Sequence, residues 1–106
     1  MRETGRYGVE ARLKKQVALA GGATRKFVSP GRPNVPDQIV IWPRVVLVTP
    51  RVERIEAEIH FVETKAPGKS ARGGQKREHK RLRKLGCQVF VLDTKERIDA
   101  YIEANR

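Results

Sequence analysis

The 106-residue sequence contains little cysteine, few aromatic residues and few acidic residues. The single cysteine, Cys87, excludes an internal disulfide, which is typical of proteins in a reducing cytoplasm. It also leaves no cysteine and histidine set with zinc-site spacing. No apolar run approaches the ~20 residues of a membrane-spanning helix, and Met1–Arg6 leads into no apolar signal segment. We therefore expect a cytoplasmic protein that does not associate with a membrane.

The scarcity of acidic residues leaves the chain strongly basic. Lysine and arginine number 23 against 12 acidic residues, which gives a formal net charge of +11. Such a charge attracts polyanions, and nucleic acid is the leading partner, with a small basic structural protein as the alternative. An apolar content of 39% argues against disorder of the whole chain. The length predicts a single domain over residues 1–106.

Apolar periodicity and turn residues predict the element order α-β-β-β-α-β-α. The predicted helices are Glu10–Leu19, Gln75–Leu85 and a last helix capped by Asp93. The predicted strands are Gln38–Trp42 ended by Pro43, Val45–Val48 as a continuation or a second strand, Ile55–Thr64, and Cys87–Leu92. The β-α-β segment implies a parallel pair inside a mixed sheet. The fold class is therefore α/β or α+β, with three layers.

Two short acidic patterns lie at the ends of predicted strands. In Glu63-Thr64-Lys65, strand alternation places the Glu63 and Lys65 side chains on one face, about 6–7 Å apart. Asp37 follows Pro36 at the start of the preceding strand. If these strands are neighbours, Asp37 and Glu63 approach each other and can converge on a cation. Two packed carboxylates in so basic a chain would otherwise repel each other.

Such a cluster suits the hydrolysis of a phosphodiester. Mg²⁺ or Mn²⁺ prefers carboxylates, carbonyl oxygens and water as ligands. One or two such ions lower the pKa of bound water and neutralise the charge that develops on the phosphate. Lys65 adds a positive charge near the attacking water or the phosphate. Taken separately, Asp37 is also explained as a turn residue, and Glu63 and Lys65 as an exposed strand pair.

The surroundings of these patterns resemble a known family. The resemblance lies in the Gly- and Pro-containing lead into Pro36-Asp37, the segment His60–Gly68, Gln75 after a basic loop, and Leu85–Val91. Together these segments are similar to the virus-type replication-repair nuclease (VRR-NUC) domain of the PD-(D/E)xK nucleases, over roughly residues 9–103. The lead Gly31–Asp37 is longer than the family's usual approach.

The resemblance implies a restriction-endonuclease-like fold and divalent-metal-dependent cleavage of branched or structured DNA. It implies metal binding by Glu10, Asp37, Glu63 and the Thr64 carbonyl oxygen, with Lys65 as catalytic lysine and Gln75 ordering the site. Stand-alone phage members resemble homodimeric Holliday-junction resolvases, and two symmetric nicks need two sites related by a twofold axis. It also implies a phage- or prophage-encoded protein in the cytoplasm of a bacterial host cell.

Basic residues cluster around the second predicted helix. We expect phosphate contacts from Lys69, Arg72, Lys76, Arg77, Lys80, Arg81 and Arg83, with a solvated helix face as the alternative. The inward stripe of this helix is predicted to be Gln75, His79, Leu82 and Leu85 or Gly86. We expect His79 to be a half-buried packing residue, and a second-shell group or a phosphate contact as the less favoured interpretation.

Three functions follow from these observations. The first is a structure-specific, metal-dependent endodeoxyribonuclease, a Holliday-junction resolvase acting as a homodimer. The second is a nuclease of the same superfamily that acts on nicks, flaps or duplex ends. The third is a non-catalytic nucleic-acid-binding module, which would not need the carboxylates of Asp37 and Glu63 facing phosphate.

Overall fold

A computed structural model describes residues 5–106, with side chains from residue 8 onward. Over this range the elements are α1 (Gly5–Leu19), β1 (Ala23–Lys26), β2 (Gln38–Thr49), β3 (Val52–Thr64), α2 (Gly73–Lys84), β4 (Gln88–Leu92) and α3 (Lys95–Asn105). No helix in this range is long and apolar enough to cross a membrane. Met1–Thr4, part of the segment searched for a signal, lies outside the described residues.

The strands form one mixed sheet in the order β1-β2-β3-β4. The β1–β2 and β2–β3 pairs are antiparallel, and β3 pairs with β4 in parallel through the crossover helix α2. The β-branched residues of β2 suit a pleated, half-buried strand. Gly86, predicted to stop α2, follows the helix C-cap at a positive φ of 93°, which glycine adopts without strain. The predicted fold class is therefore confirmed.

The main core lies between the sheet and two of the helices. Its buried members come from α1, β2, β3, β4 and α3, and are Val9, Leu13, Val17, Val40, Trp42, Val62, Leu92, Ile98, Tyr101 and Ile102. Each such side chain contributes on the order of 1.5–3 kcal/mol when fully buried. α2 supplies none of them, since it packs on the opposite face, where His79 approaches Glu63. The three predicted layers are thus α1 and α3, the sheet, and α2.

The prediction that Pro43 ends a strand is wrong. β2 continues through Pro43 to Thr49, so Val45–Val48 is a continuation of the first strand. Proline has no backbone N–H to donate to a neighbouring strand, so within a sheet it occurs where no neighbouring strand requires that hydrogen bond. β1 pairs with β2 only as far as Ile41, so that side of β2 is already a free edge at Pro43.

The outer part of the β2–β3 hairpin, residues 43–59, extends beyond both neighbouring strands, and we call it the hairpin arm. β1 reaches only Ile41, and β4 begins opposite His60. By alternation, Val45, Leu47 and Ile55 lie on the same sheet face as Glu63. They are 64%, 66% and 72% exposed, because α2 does not reach this part of the face.

Three further boundaries differ from the predictions. β1 was not predicted, because Ala23–Lys26 shows no apolar alternation and is a strand only by pairing with β2. α3 is capped by Thr94, whose hydroxyl accepts a hydrogen bond from the Arg97 amide at 3.1 Å, and not by Asp93. Leu85, which with Gly86 as the alternative was predicted to end the inward stripe of α2, is 81% exposed because the helix has already ended at Lys84.

Candidate active site

Asp37 is joined to the end of β3 by two hydrogen bonds. Its Oδ1 accepts from the Thr64 amide at 3.0 Å, and its Oδ2 accepts from the Thr64 hydroxyl at 2.7 Å. The β2–β3 ladder ends with Gln38 opposite Val62, so Asp37 lies one step further on, level with Glu63. The backbones of Asp37 and Glu63 are therefore neighbours, as predicted, but the Asp37 carboxylate is hydrogen-bonded to Thr64.

Glu63 lies on the face of β3 that α2 covers. It is 4% exposed, and its Oε1 is 3.7 Å from Nε2 of His79, which is 2% exposed. Burial lowers the pKa of His79, and the positive charges of Arg83 and Lys65 lower it further. The expectation of a half-buried packing residue is corrected: His79 is fully buried and faces a predicted metal ligand.

Glu10 is held by β2 at a buried position on α1. Its Oε1 accepts a hydrogen bond from Nε2 of Gln38 at 2.6 Å, and the ammonium groups of Lys14 and Lys26 lie 3.4 and 3.7 Å away. Among residues 5–106, Oε2 of Glu10 and Oε1 of Gln38 have no hydrogen-bond partner. Glu10 thus carries a buried carboxylate oxygen with unused capacity to accept a hydrogen bond.

Gln75 closes the first turn of α2. Its Oε1 accepts from the Arg72 amide at 2.9 Å, which satisfies one of the amide groups that a helix start leaves without a partner. Gln75 thus stabilises the start of the helix that carries His79 one turn further along, and its ordering role in the site stays a prediction.

The proline-rich loop before Asp37 is fastened to α2 by an ion pair. Nε of Arg32 donates to Oε1 of Glu78 at 2.9 Å, and this bond holds the pKa of Glu78 below its usual range. Asn34, at φ 67°, packs against Gly74. A Cβ added to Gly74 would stand 2.6 Å from the side-chain nitrogen of Asn34. These contacts position the chain that enters the site relative to α2. Arg32 and Glu78 were not predicted, because nothing in the sequence relates residues 46 positions apart.

The predicted ligands do not form a closed cage. In the part of the chain that the structure describes, no three His, Cys, Asp or Glu side chains form a group that could hold a metal ion. Glu10, Asp37 and Glu63 are therefore not brought into one cluster. Their chemistry still fits a hard divalent cation, because Asp37, directly before β2, lies level with Glu63 on β3 and carboxylate oxygens are ligands that such ions prefer. The unpartnered Oε2 of Glu10 is a further oxygen donor.

A basic cleft of about 390 Å³ adjoins Glu63. It is lined by His79 and by Val91, which pairs with Glu63 across the β3–β4 ladder. Its charged lining is Lys69, Lys76, Arg83, Asp93 and Arg97. The seven predicted phosphate contacts are all exposed: Lys69, Arg72, Lys76, Arg77, Lys80, Arg81 and Arg83. Arg97 and Asp93 were missed, because they come from the start of α3 and reach the cleft only through the fold.

In this sheet Asp37 directly precedes β2, Glu63 is the penultimate residue of β3, and Lys65 directly follows that strand. This is the arrangement of the PD-(D/E)xK class. No family model matches the chain. A protein named "Putative nuclease p44", from Acyrthosiphon pisum secondary endosymbiont phage 1, is 43% identical over 88 residues, which are 83% of this chain and 82% of that protein. A solved structure described as a "VRR_NUC domain" is 31% identical, with a TM-score of 0.75 over 95% of this chain and 97% of its own. The chain belongs to the VRR-NUC family.

Proposed function

We propose that this protein is a divalent-metal-dependent endodeoxyribonuclease. The observation that carries the proposal is that Asp37 lies level with Glu63 and that a basic cleft adjoins Glu63. Lys65, directly after β3, lies near enough to affect the pKa of His79 beside Glu63. Family membership and a phage relative named as a nuclease support it. Two neighbouring carboxylates beside a basic cleft serve hydrolysis better than binding alone, because they would repel a phosphate unless a cation stood between.

Each residue has a role in this proposal. Asp37, Glu63 and the Thr64 carbonyl would bind Mg²⁺ or Mn²⁺, as one or two ions, with Glu10 binding directly or through water. The bound ion would supply an activated water and neutralise charge on the phosphate. Lys65 holds a positive charge beside the reacting phosphate, and Gln75 keeps α2 in place. Lys69, Arg72, Lys76, Arg77, Lys80 and Arg81 would hold the flanking phosphates.

Branched DNA cut by a homodimer is the finer form of the proposal, and the hairpin arm supports it. Val45, Leu47 and Ile55 form an exposed apolar face, and such faces mark interaction sites. The arm has no net charge in a chain of +11, because its three arginines are balanced by three glutamates: Arg44, Arg51, Arg54, Glu53, Glu56 and Glu58. A second copy can therefore approach this face without the repulsion that the rest of the surface would impose.

Two alternatives remain distinct from a Holliday-junction resolvase. One is a nuclease of the same superfamily that cuts nicks, flaps or duplex ends, and the other is a non-catalytic nucleic-acid-binding module. The site of action would be the cytoplasm of a bacterial host cell, with the gene carried by a phage or prophage, since the relative with known origin comes from a phage.

The test is cleavage of a four-way junction, a flap and a linear duplex in Mg²⁺ or Mn²⁺. Lys65→Met should lower the rate by at least about 100-fold, because it removes a charge beside the reacting phosphate. Lys95→Met, which removes the same charge from an exposed position on α3, should leave the rate within about twofold. Paired cuts in the junction support a resolvase. Equal activity of both variants would contradict the site, and no cleavage by the wild-type protein would favour the binding module.

Sedimentation tests the homodimer separately. The wild-type chain of 12.0 kDa should sediment at twice that mass. Ile55→Glu should sediment as a monomer, because it places a charge on the exposed apolar face. Arg54→Gln, which lowers the charge equally on the opposite face, should remain a dimer. A monomeric wild-type protein would rule out this form of the proposal.

A further inference from the structure

Nε2 of His79 is a buried nitrogen with no role in the proposed hydrolysis. The side chain is 2% exposed, and among residues 5–106 this atom has no hydrogen-bond partner. A buried polar atom without a partner costs free energy, so such atoms are rare and commonly mark a ligand or an unseen partner. The imidazole also lines the basic cleft, so a small ligand can reach it.

The position of Nε2 next to a carboxylate indicates that the ligand is a cation. It lies 3.7 Å from Oε1 of Glu63, and both atoms are on the α2-covered face of β3. A phosphate oxygen placed between them would be repelled by the Glu63 carboxylate. A metal cation would be attracted to both, because a neutral imidazole nitrogen and a carboxylate oxygen are both metal donors.

The distance also suits two ligands of one ion. With metal–ligand distances of about 2.0–2.2 Å, adjacent donors in an octahedral site stand ~3 Å apart. The observed 3.7 Å requires His79 and Glu63 to approach each other by less than 1 Å. Both side chains are held by packed elements, α2 and β3, so the pair is already arranged for a shared ion.

We propose that His79 is a direct nitrogen ligand of the cation that Glu63 binds, and that it makes the site prefer Mn²⁺ over Mg²⁺. Imidazole binds transition metals well, whereas Mg²⁺ favours oxygen donors. This inference rests on the proposed metal-dependent function and adds a ligand from α2 to Glu10 of α1, Asp37 before β2 and the ligands of β3. His79 therefore determines metal selectivity as well as filling space under the helix.

The test is calorimetric binding of Mn²⁺ and of Mg²⁺ to the DNA-free protein. His79→Gln should weaken Mn²⁺ binding by about 10–100-fold, while the amide oxygen keeps the change for Mg²⁺ within about threefold. His60→Gln is the matched control, because His60 is equally buried but bonds Tyr101 on the opposite sheet face. It should leave both affinities unchanged. Equal loss of both metals in His79→Gln would overturn the inference and point to packing alone.

A second measurement needs no variant. Pulsed electron paramagnetic resonance of the Mn²⁺-loaded wild-type protein should show coupling to a ¹⁴N nucleus of a coordinated imidazole. Absence of that coupling, with Mn²⁺ bound and lost on Glu63→Gln, would overturn the role of His79 and leave the metal-dependent function standing. No binding of either metal to the wild-type protein would overturn both.

Discussion

Replacing Asp37 by asparagine and by alanine should separate the chemistry of the site from its role in the fold. The carboxylate accepts one hydrogen bond from the Thr64 amide and one from the Thr64 hydroxyl. In Asp37→Asn the oxygen can still accept from the amide, and the new NH₂ can donate to the hydroxyl once that group has rotated. In Asp37→Ala both bonds are lost next to Thr64, which is fully buried.

The magnitudes of these two effects differ. Asp37→Asn loses only the charge assistance of its hydrogen bonds, and its free energy of unfolding should fall by at most about 1 kcal/mol. Asp37→Ala leaves two buried donors without acceptors, and the loss should be about 2–4 kcal/mol. Both variants lose a proposed metal ligand, so cleavage should fall by at least about 100-fold in each. That factor corresponds to about 2.7 kcal/mol in the barrier.

Urea unfolding and junction cleavage should be measured on the same preparations of both variants. The expected pattern is an asparagine variant that is stable and inactive, beside an alanine variant that is both unstable and inactive. Wild-type cleavage by Asp37→Asn in either Mg²⁺ or Mn²⁺ would refute the assignment of the carboxylate to the metal. Wild-type stability of Asp37→Ala would refute the importance of the two bonds to Thr64.

Three other predictions concern the core and the surface. Burial raises the pKa of Tyr101 to about 12 from 10.0, so the stability contributed by its neutral phenol should be complete below pH 10 and fall by roughly 3 kcal/mol as pH rises towards 12. Urea titrations at pH 9 and 11 should show about 1.3 kcal/mol of this loss, and a Tyr101→Phe variant should lack that drop. Gly22→Ala should cost about 1–3 kcal/mol, because the new Cβ would stand 3.0 Å from the Trp42 ring, whereas Gly31→Ala has open space and should be neutral by thermal unfolding. DNA affinity should fall steeply with salt, and Lys76→Ala should reduce the slope of log affinity against log salt by about 1, a change that a merely solvated lysine would not produce.

Local patterns in the sequence were sufficient for most elements. Periodicity over Leu13 and Val17, β-branched residues in β2 and a glycine after α2 each act within a few residues of chain, so α1, β2 and α2 could be predicted from them. The Glu63–Lys65 spacing likewise predicts a shared face, because strand alternation is a local property. Family membership was predicted from short motifs and then confirmed by the relatives.

The sequence by itself therefore determined the order of most elements and the family, and it predicted the acidic and basic residues of the proposed site and a polyanionic partner. The tertiary structure decided what no local pattern contains. β1 exists only through its pairing, and Pro43 is tolerated only because β1 has ended. The tertiary structure also places the Asp37 carboxylate in hydrogen bonds with Thr64, and His79 of α2 beside Glu63 of β3. These outcomes depend on contacts between residues far apart in the chain, whose geometry is set by packing and register.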